Sequence, residues 1–166
     1  MFNVFLGLGS NVGDSIAIVR GATGSIAEIP GVYDLKSSRL YRTSPVSDIA
    51  QPDFINGAVQ LSTTLSAGQL LTALQDVERR WGKLPKPKNA PRPIDIDIIF
   101  FGHEQHETPE LQVPHPAWKE RLFVLIPLLD LTTTVSYPDD GVISTLDLRE
   151  YIQEFETKQQ YVFPLI

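Results

Sequence analysis

The chain has 166 residues, 42% of them hydrophobic and 20% charged, which suits one domain around one hydrophobic core. It contains no cysteine, so disulfides, thiolate metal sites and cysteine nucleophiles are excluded. A net charge of -6 argues against a duplex nucleic-acid partner, the start Met1–Leu6 lacks a basic n-region, and no apolar run approaches the roughly 20 residues that span a bilayer. The expectation is a cytoplasmic monomer, residues 1–166 forming one domain that acts on small molecules, with no nucleic-acid or membrane partner.

Asn3 to Gly9 reads as a buried strand closed by the turn-rich Gly9-Ser10-Asn11-Val12-Gly13-Asp14. Asp14 or Ser15 caps a helix with Ile16, Val19 and Ile26 on roughly one face, ended by Pro30-Gly31. Val32 to Thr43 has strand character, and Phe54 to Thr64 alternates as its antiparallel partner. The stretch between them, Ser44 to Asp53, is long for a hairpin loop, and loops of that length are more often functional. Ser66 caps a second helix to about Trp81, with Leu70, Leu74, Val77 and Trp81 as its core stripe and Gly82 as its stop. A basic flap follows, Lys83 to Pro93, with four prolines in eleven residues. Pro93 to Phe101 is the next strand. A Pro/His turn, a helix around Trp118 to Asp130, a helical stretch near Ser144 to Phe155 and an edge segment at Tyr161 to Pro164 complete the chain. The order strand, helix, strand, strand, helix, strand predicts an α+β fold: a mostly antiparallel sheet with helices on one face, in the ferredoxin-like style.

Ile94-Asp95-Ile96-Asp97-Ile98 carries the most chemistry. Alternation puts Asp95 and Asp97 on one face, with Cα atoms about 6.6 Å apart at the usual strand rise. That spacing lets two carboxylates converge on a hard cation, and magnesium prefers carboxylate-plus-phosphate coordination. The alternative is the solvated face of a half-exposed strand, although aspartate is disfavoured in strands and like charges on one face repel. Arg92 stands just upstream, in a run between Arg79 and Pro93 that holds six of the fourteen basic residues and no acid. An arginine beside a magnesium seat is the usual polyphosphate clamp. The glycines at 7, 9 and 13 approximate a dinucleotide fingerprint, but the last is one residue late and repeated βα units are missing, so a tight turn is the reading. Gln75 and Glu78 project together from the second helix, as a solvated face would, and His115 in Val113-Pro114-His115-Pro116 reads as a turn histidine.

Several segments, in this order, resemble the 6-hydroxymethyl-7,8-dihydropterin pyrophosphokinase family over roughly residues 3 to 135. They are Leu8-Gly9-Ser10-Asn11-Val12-Gly13-Asp14, Tyr41-Arg42-Thr43-Ser44-Pro45 and Gln51-Pro52-Asp53-Phe54-Ile55-Asn56, then Pro91-Arg92-Pro93-Ile94-Asp95-Ile96-Asp97-Ile98, Val113-Pro114-His115-Pro116 and Arg121-Leu122-Phe123-Val124-Leu125-Ile126-Pro127-Leu128. The resemblance implies diphosphate transfer from ATP to the hydroxymethyl group of the pterin, giving AMP, in folate biosynthesis. It implies that Arg92, Asp95, Asp97 and Arg121 are catalytic, with two Mg2+ ions on Asp95 and Asp97. ATP would be held by Gln75, Glu78, Lys83, Arg92, Ile98, His115 and Arg121. The pterin would be held by Thr43, Ser44, Pro45, Val46, Phe54, Asn56 and Phe123, with the two rings sandwiching it.

The flap departs from the family pattern. Lys83 and Pro85 stand where members commonly carry two arginines, and Asn89 stands at the tryptophan position. Lysine lacks arginine's fork and asparagine cannot stack on a heterocycle, so looser closure is expected, with slower turnover or altered product release. The readings that compete with the enzyme are a diverged relative that binds pterin or nucleotide without turnover, and a ferredoxin-like interaction domain with no small-molecule site.

Overall fold

A computed structural model describes residues 1–45, 49–84, 91–155 and 160–165. Its first part runs β1 (Phe2–Ser10), α1 (Ser15–Ala27), β2 (Val32–Ser37), β3 (Tyr41–Thr43), β4 (Phe54–Thr63), α2 (Ala67–Arg80) and β5 (Asp95–Phe101). After β5 come the short pair β6 (His106–Glu107) and β7 (Gln112–Val113), a 3-10 turn at Trp118–Glu120 and α3 (Leu122–Leu131). The hairpin β8 (Thr134–Asp139) and β9 (Val142–Asp147), α4 (Leu148–Gln153) and β10 (Val162–Pro164) end it. The main sheet has the order β10-β3-β4-β1-β5, with β2 also pairing β4. All of its ladders are antiparallel. The expected α+β, ferredoxin-like architecture is the observed one.

Local chemistry sets the element ends. The Asp14 carboxylate accepts from the Ala17 N–H and caps α1. Ser66 and Gln69 form a reciprocal capping box at the start of α2. Val4, Leu6 and Leu8 of β1 and Ile96 and Ile98 of β5 point one way, toward Val19, Ala22 and Ile26 of α1 and Leu70, Leu74 and Val77 of α2. This is the larger core.

Three features differ from the sequence expectations. Helices cover both faces of the sheet, because α3, α4 and the β8–β9 hairpin build a second core with Phe5, Ala58, Ile99 and Phe100. A register shift between Phe5 and Leu6 against β5 turns both Ile99 and Phe100 toward that second core. The strand expected over Val32 to Thr43 breaks in two. Ser38 Oγ takes the Ala58 N–H there and the Arg39 N–H donates to Asp130 on α3, so the backbone leaves the ladder between β2 and β3. Finally, Ser144 to Asp147 is strand rather than helix. Asp140 and Gly141 both take positive φ, the geometry of a tight hairpin turn, and pair β8 with β9. Val46, Asn89 and most of the basic flap lie outside the described residues. Among the described residues no helix is long and apolar enough to cross a membrane.

Candidate active site

The second face of the sheet is not fully covered. Between the start of α3 and the ends of β1, β4 and β5 lies a cavity of about 350 Å³. Its floor follows from strand register. Gly9 lies opposite Asn56 on one side and Asp95 on the other, and Gly7 lies opposite Ala58 and Asp97. Two glycines in consecutive rows leave the space that side chains would fill. At Gly9 that space is required: an added Cβ would stand 2.4 Å from the Asn56 side-chain oxygen. A strand glycine of this kind marks a close approach by a ligand or another group.

Asp95 and Asp97 share the cavity wall. Asp95 accepts from Lys83 Nζ at 2.7 Å and from the Arg92 guanidinium at 3.2 Å through both oxygens. Lys83 also bonds Glu78 at 2.8 Å, and a Glu78 oxygen takes the backbone N–H of Ile96 at 2.9 Å. Glu78 therefore clamps β5 at the residue between the two aspartates. Burial raises its pKa, against the lowering effect of Lys83 and the Ile96 N–H. Burial alone would lower the Lys83 pKa, but the bonds to Asp95 and Glu78 outweigh it and raise the ammonium above its usual range. Asp97 is half-buried and faces the cavity. Burial first, and then the charge of Asp95, push its pKa up to about 7.

The opposite wall carries Arg121, Phe123 and Val124. Arg121 is the residue before α3 and caps nothing with its side chain; its guanidinium lies 5.4 Å from the centre of the Phe123 ring. His115 is fixed by its N–H, which donates to the Ile99 carbonyl, and by its Nδ1, which accepts from the Ala117 N–H at 3.2 Å. That bond makes Nδ1 the acceptor and leaves the proton on Nε2. Burial first, then Arg121, lower the His115 pKa to about 4, so the ring is neutral at neutral pH. Thr43, Ser44, Gln51, Phe54 and Asn56 close the remaining side. The Asn56 amide donates to Thr43 Oγ1 at 2.6 Å.

Residues 5–133 match the 7,8-dihydro-6-hydroxymethylpterin-pyrophosphokinase (HPPK) family. The chain belongs to this family. It is 36% identical over 136 residues to the 2-amino-4-hydroxy-6-hydroxymethyldihydropteridine pyrophosphokinase of Synechocystis, covering 82% of this chain and 69% of the relative. It is 38% identical over 131 residues to the Bacillus subtilis protein of the same name, covering 79% and 78%. A crystal structure of Plasmodium falciparum HPPK-DHPS superposes with a TM-score of 0.64 at 14% identity. That match covers 93% of this chain but 43% of the Plasmodium chain, and it shows the shared fold.

The positions carrying the HPPK resemblance are not all brought together. Arg92, Asp95, Asp97, His115, Arg121, Thr43, Ser44, Phe54, Asn56 and Phe123 all line the one cavity. Pro45 directly follows that wall but is not part of the lining. Gln75 is exposed on α2, while Glu78 is buried, so the shared solvated face expected for the pair is absent. Ile98 turns its side chain into the larger core. Lys83 is bound to Asp95 and Glu78 beneath the cavity. His115 is more than a turn residue, but as a neutral ring it offers a hydrogen bond rather than a charge.

The sequence reading does not assign Gly7, Gly9 and Gln51 to the site, nor the lining residues Leu8, Gly57, Ile99 and Val124. Gly7 and Gly9 alternate with Leu6 and Leu8 inside a strand, and that alternation is the available signal. Asn11 was also missed as a hub. Its side chain donates to Gln51 Oε1 at 2.7 Å and accepts from the Arg92 N–H at 2.8 Å, joining the long loop to the arginine.

Proposed function

We propose that the chain is an ATP- and magnesium-dependent diphosphotransferase acting on 6-hydroxymethyl-7,8-dihydropterin in folate biosynthesis. The pterin hydroxymethyl oxygen bonds to the β-phosphorus of ATP, the bond from that phosphorus to the bridging oxygen breaks, AMP leaves and the hydroxyl proton is released. The observation that carries this reading is one cavity lined by two carboxylates, two arginines and two aromatic rings.

The donor set suits magnesium. Asp95 and Asp97 are hard oxygen ligands, and among the described residues no third His, Cys, Asp or Glu joins them in a protein-only cage. Phosphate oxygens and water would complete the coordination. Two Mg2+ ions held by Asp95 and Asp97 would supply charge neutralisation on the triphosphate and polarisation of the attacking hydroxyl. The chain's own contribution is placement and charge. Arg92 and Arg121 both line the cavity and draw phosphate oxygens toward the carboxylates. Neutral His115 donates from Nε2 to a phosphate oxygen. Lys83, bonded to Asp95 and Glu78, would place its ammonium charge beside the metal seat and the phosphates, while Glu78 holds the strand between the aspartates. Ile98 and Gln75 enter the nucleotide reading through the family resemblance.

For the pterin, Phe54 and Phe123 offer two apolar ring faces to a flat heterocycle. Thr43, Ser44 and Asn56 supply edge hydrogen bonds, with Pro45 and Val46 continuing the same wall. A single pyrophosphokinase domain, working as a monomer in the cytoplasm, is sufficient for this chemistry. The test is incubation with ATP, magnesium and the hydroxymethyl dihydropterin. AMP and the pterin diphosphate should form in equal amounts and vanish when EDTA removes the metal. Tight pterin binding with no AMP under any metal condition would replace the enzyme with a binding protein.

A further inference from the structure

The last described segment, residues 160–165, lies beyond the part of the chain that matches the family, yet it reaches both walls of the cavity. On one side it forms β10 against β3, with Val162 opposite Thr43 and Pro164 opposite Tyr41. Tyr161 and Ser44 are joined twice: the Ser44 N–H donates to the Tyr161 carbonyl at 3.1 Å, and the Tyr161 N–H donates to Ser44 Oγ at 3.0 Å. The Tyr161 hydroxyl donates to Asp53 at 2.5 Å, next to the cavity residue Phe54.

The other wall is gripped by Gln160. Its Oε1 accepts from the Leu122 N–H at 3.0 Å and its Nε2 donates to the Glu120 carbonyl at 3.1 Å. Those two backbone groups belong to the residues on either side of Arg121. Arg121 is held by no side-chain cap of its own at the start of α3. One amide side chain thus fixes the peptide on each flank of the arginine, accepting one bond and donating the other, a pairing that neither an ionised carboxylate nor an ammonium offers.

We infer that Gln160 is a positioning residue for Arg121, and that the segment 160–165 is a strap holding the two cavity walls at a fixed separation. Arg121 is most useful when its guanidinium is already aimed at the transferring phosphate. A loosened N-terminus of α3 lets it swing away from the cavity, off the Phe123 ring it lies over at 5.4 Å. Gln160 touches no substrate and acts through the backbone. This inference rests on the proposed function for the role of Arg121, but the geometry it explains is independent of that role.

A double-mutant cycle tests it. Gln160→Ala in the full chain should lower kcat for AMP formation about tenfold, with little change in the KM for the pterin. In an Arg121→Ala background the same change should cost nothing further, which a general loss of structure would not produce. Gln160→Glu keeps the acceptor for the Leu122 N–H and should restore part of the rate. It also serves if Gln160→Ala does not fold. Wild-type kcat in Gln160→Ala, or an equal loss in both backgrounds, overturns the inference. If the wild-type protein forms no AMP, the function reading fails. The same cycle is then read by calorimetry as magnesium-ATP affinity, where coupling between positions 160 and 121 supports the strap and its absence removes it.

Discussion

The two faces of β5 present the molecule's main contrast. Ile94, Ile96 and Ile98 are buried against α1 and α2, where tight side-chain packing fills the larger core. One residue over, Asp95 and Asp97 face a cavity whose floor is two glycines. The first face stabilises the fold and leaves no room. The second keeps an open space and accepts a like-charge pair, with Asp97 raised to about 7 by burial and by Asp95. Function and stability are separated by a single step along one strand.

Neighbouring substitutions should therefore have opposite consequences. Asp97→Asn removes a metal donor and its charge, and AMP formation should fall by at least about 100-fold. Its thermal midpoint should equal or exceed that of the wild type, because the amide escapes the repulsion from Asp95. Near-normal turnover in Asp97→Asn would remove the carboxylates from the mechanism. Ile96→Ala deletes apolar volume from the opposite face and should cost about 2–5 kcal/mol in denaturant unfolding. The activity of its folded fraction should remain close to wild type. If Ile96→Ala instead lost activity without stability, the division between the faces would be false.

A smaller effect is expected from Gly9→Ala. The added Cβ meets the Asn56 oxygen at 2.4 Å, and moving Asn56 also disturbs its bond to Thr43 at 2.6 Å. Overpacking on the order of 1–3 kcal/mol, borne by the pterin site, corresponds to roughly 5- to 150-fold in pterin affinity. Calorimetric titration with the pterin should show that loss while the magnesium-ATP affinity stays unchanged. An equal change in both affinities would mean that Gly9 shapes the whole strand end rather than the pterin floor.

How far the sequence discloses this contrast depends on the range of the interaction. Alternation at Ile94 to Ile98 and the stripe Leu70, Leu74, Val77 are local periodicities, and they identify strand, helix and the closed core. Asp95 and Asp97 are legible for the same reason. The second layer is not. β9 has no fully buried residue and its half-buried positions are Ser144 and Leu146, so Val142 to Asp147 lacks the apolar alternation that distinguishes strand from helix, and the Asp140-Gly141 turn is the strong cue. Glu78 is four residues after Leu74, at the edge of the stripe, but its bond to the Ile96 N–H depends on where β5 lies. Gln160 is farther still from any local rule: its partners Leu122 and Glu120 lie 38 and 40 residues earlier in the chain.

His115 allows the subtlest division between site and scaffold. Burial and Arg121 lower its folded pKa to about 4, against a reference near 6.5 for the free side chain. A histidine depressed in this way adds stability that is complete above the unfolded pKa and is lost as pH falls toward the folded one. His115→Asn keeps an acceptor for the Ala117 N–H, since asparagine forms the same local turn. The variant should differ from wild type by a constant thermal midpoint above pH about 6.5, and the gap should then shift in the variant's favour toward pH about 4. Thermal unfolding of the ligand-free proteins across that range measures it. Parallel curves would mean that His115 keeps an unshifted pKa of about 6.5. The phosphates would then meet a third cation below that pH, where the lowered pKa predicts a neutral donor.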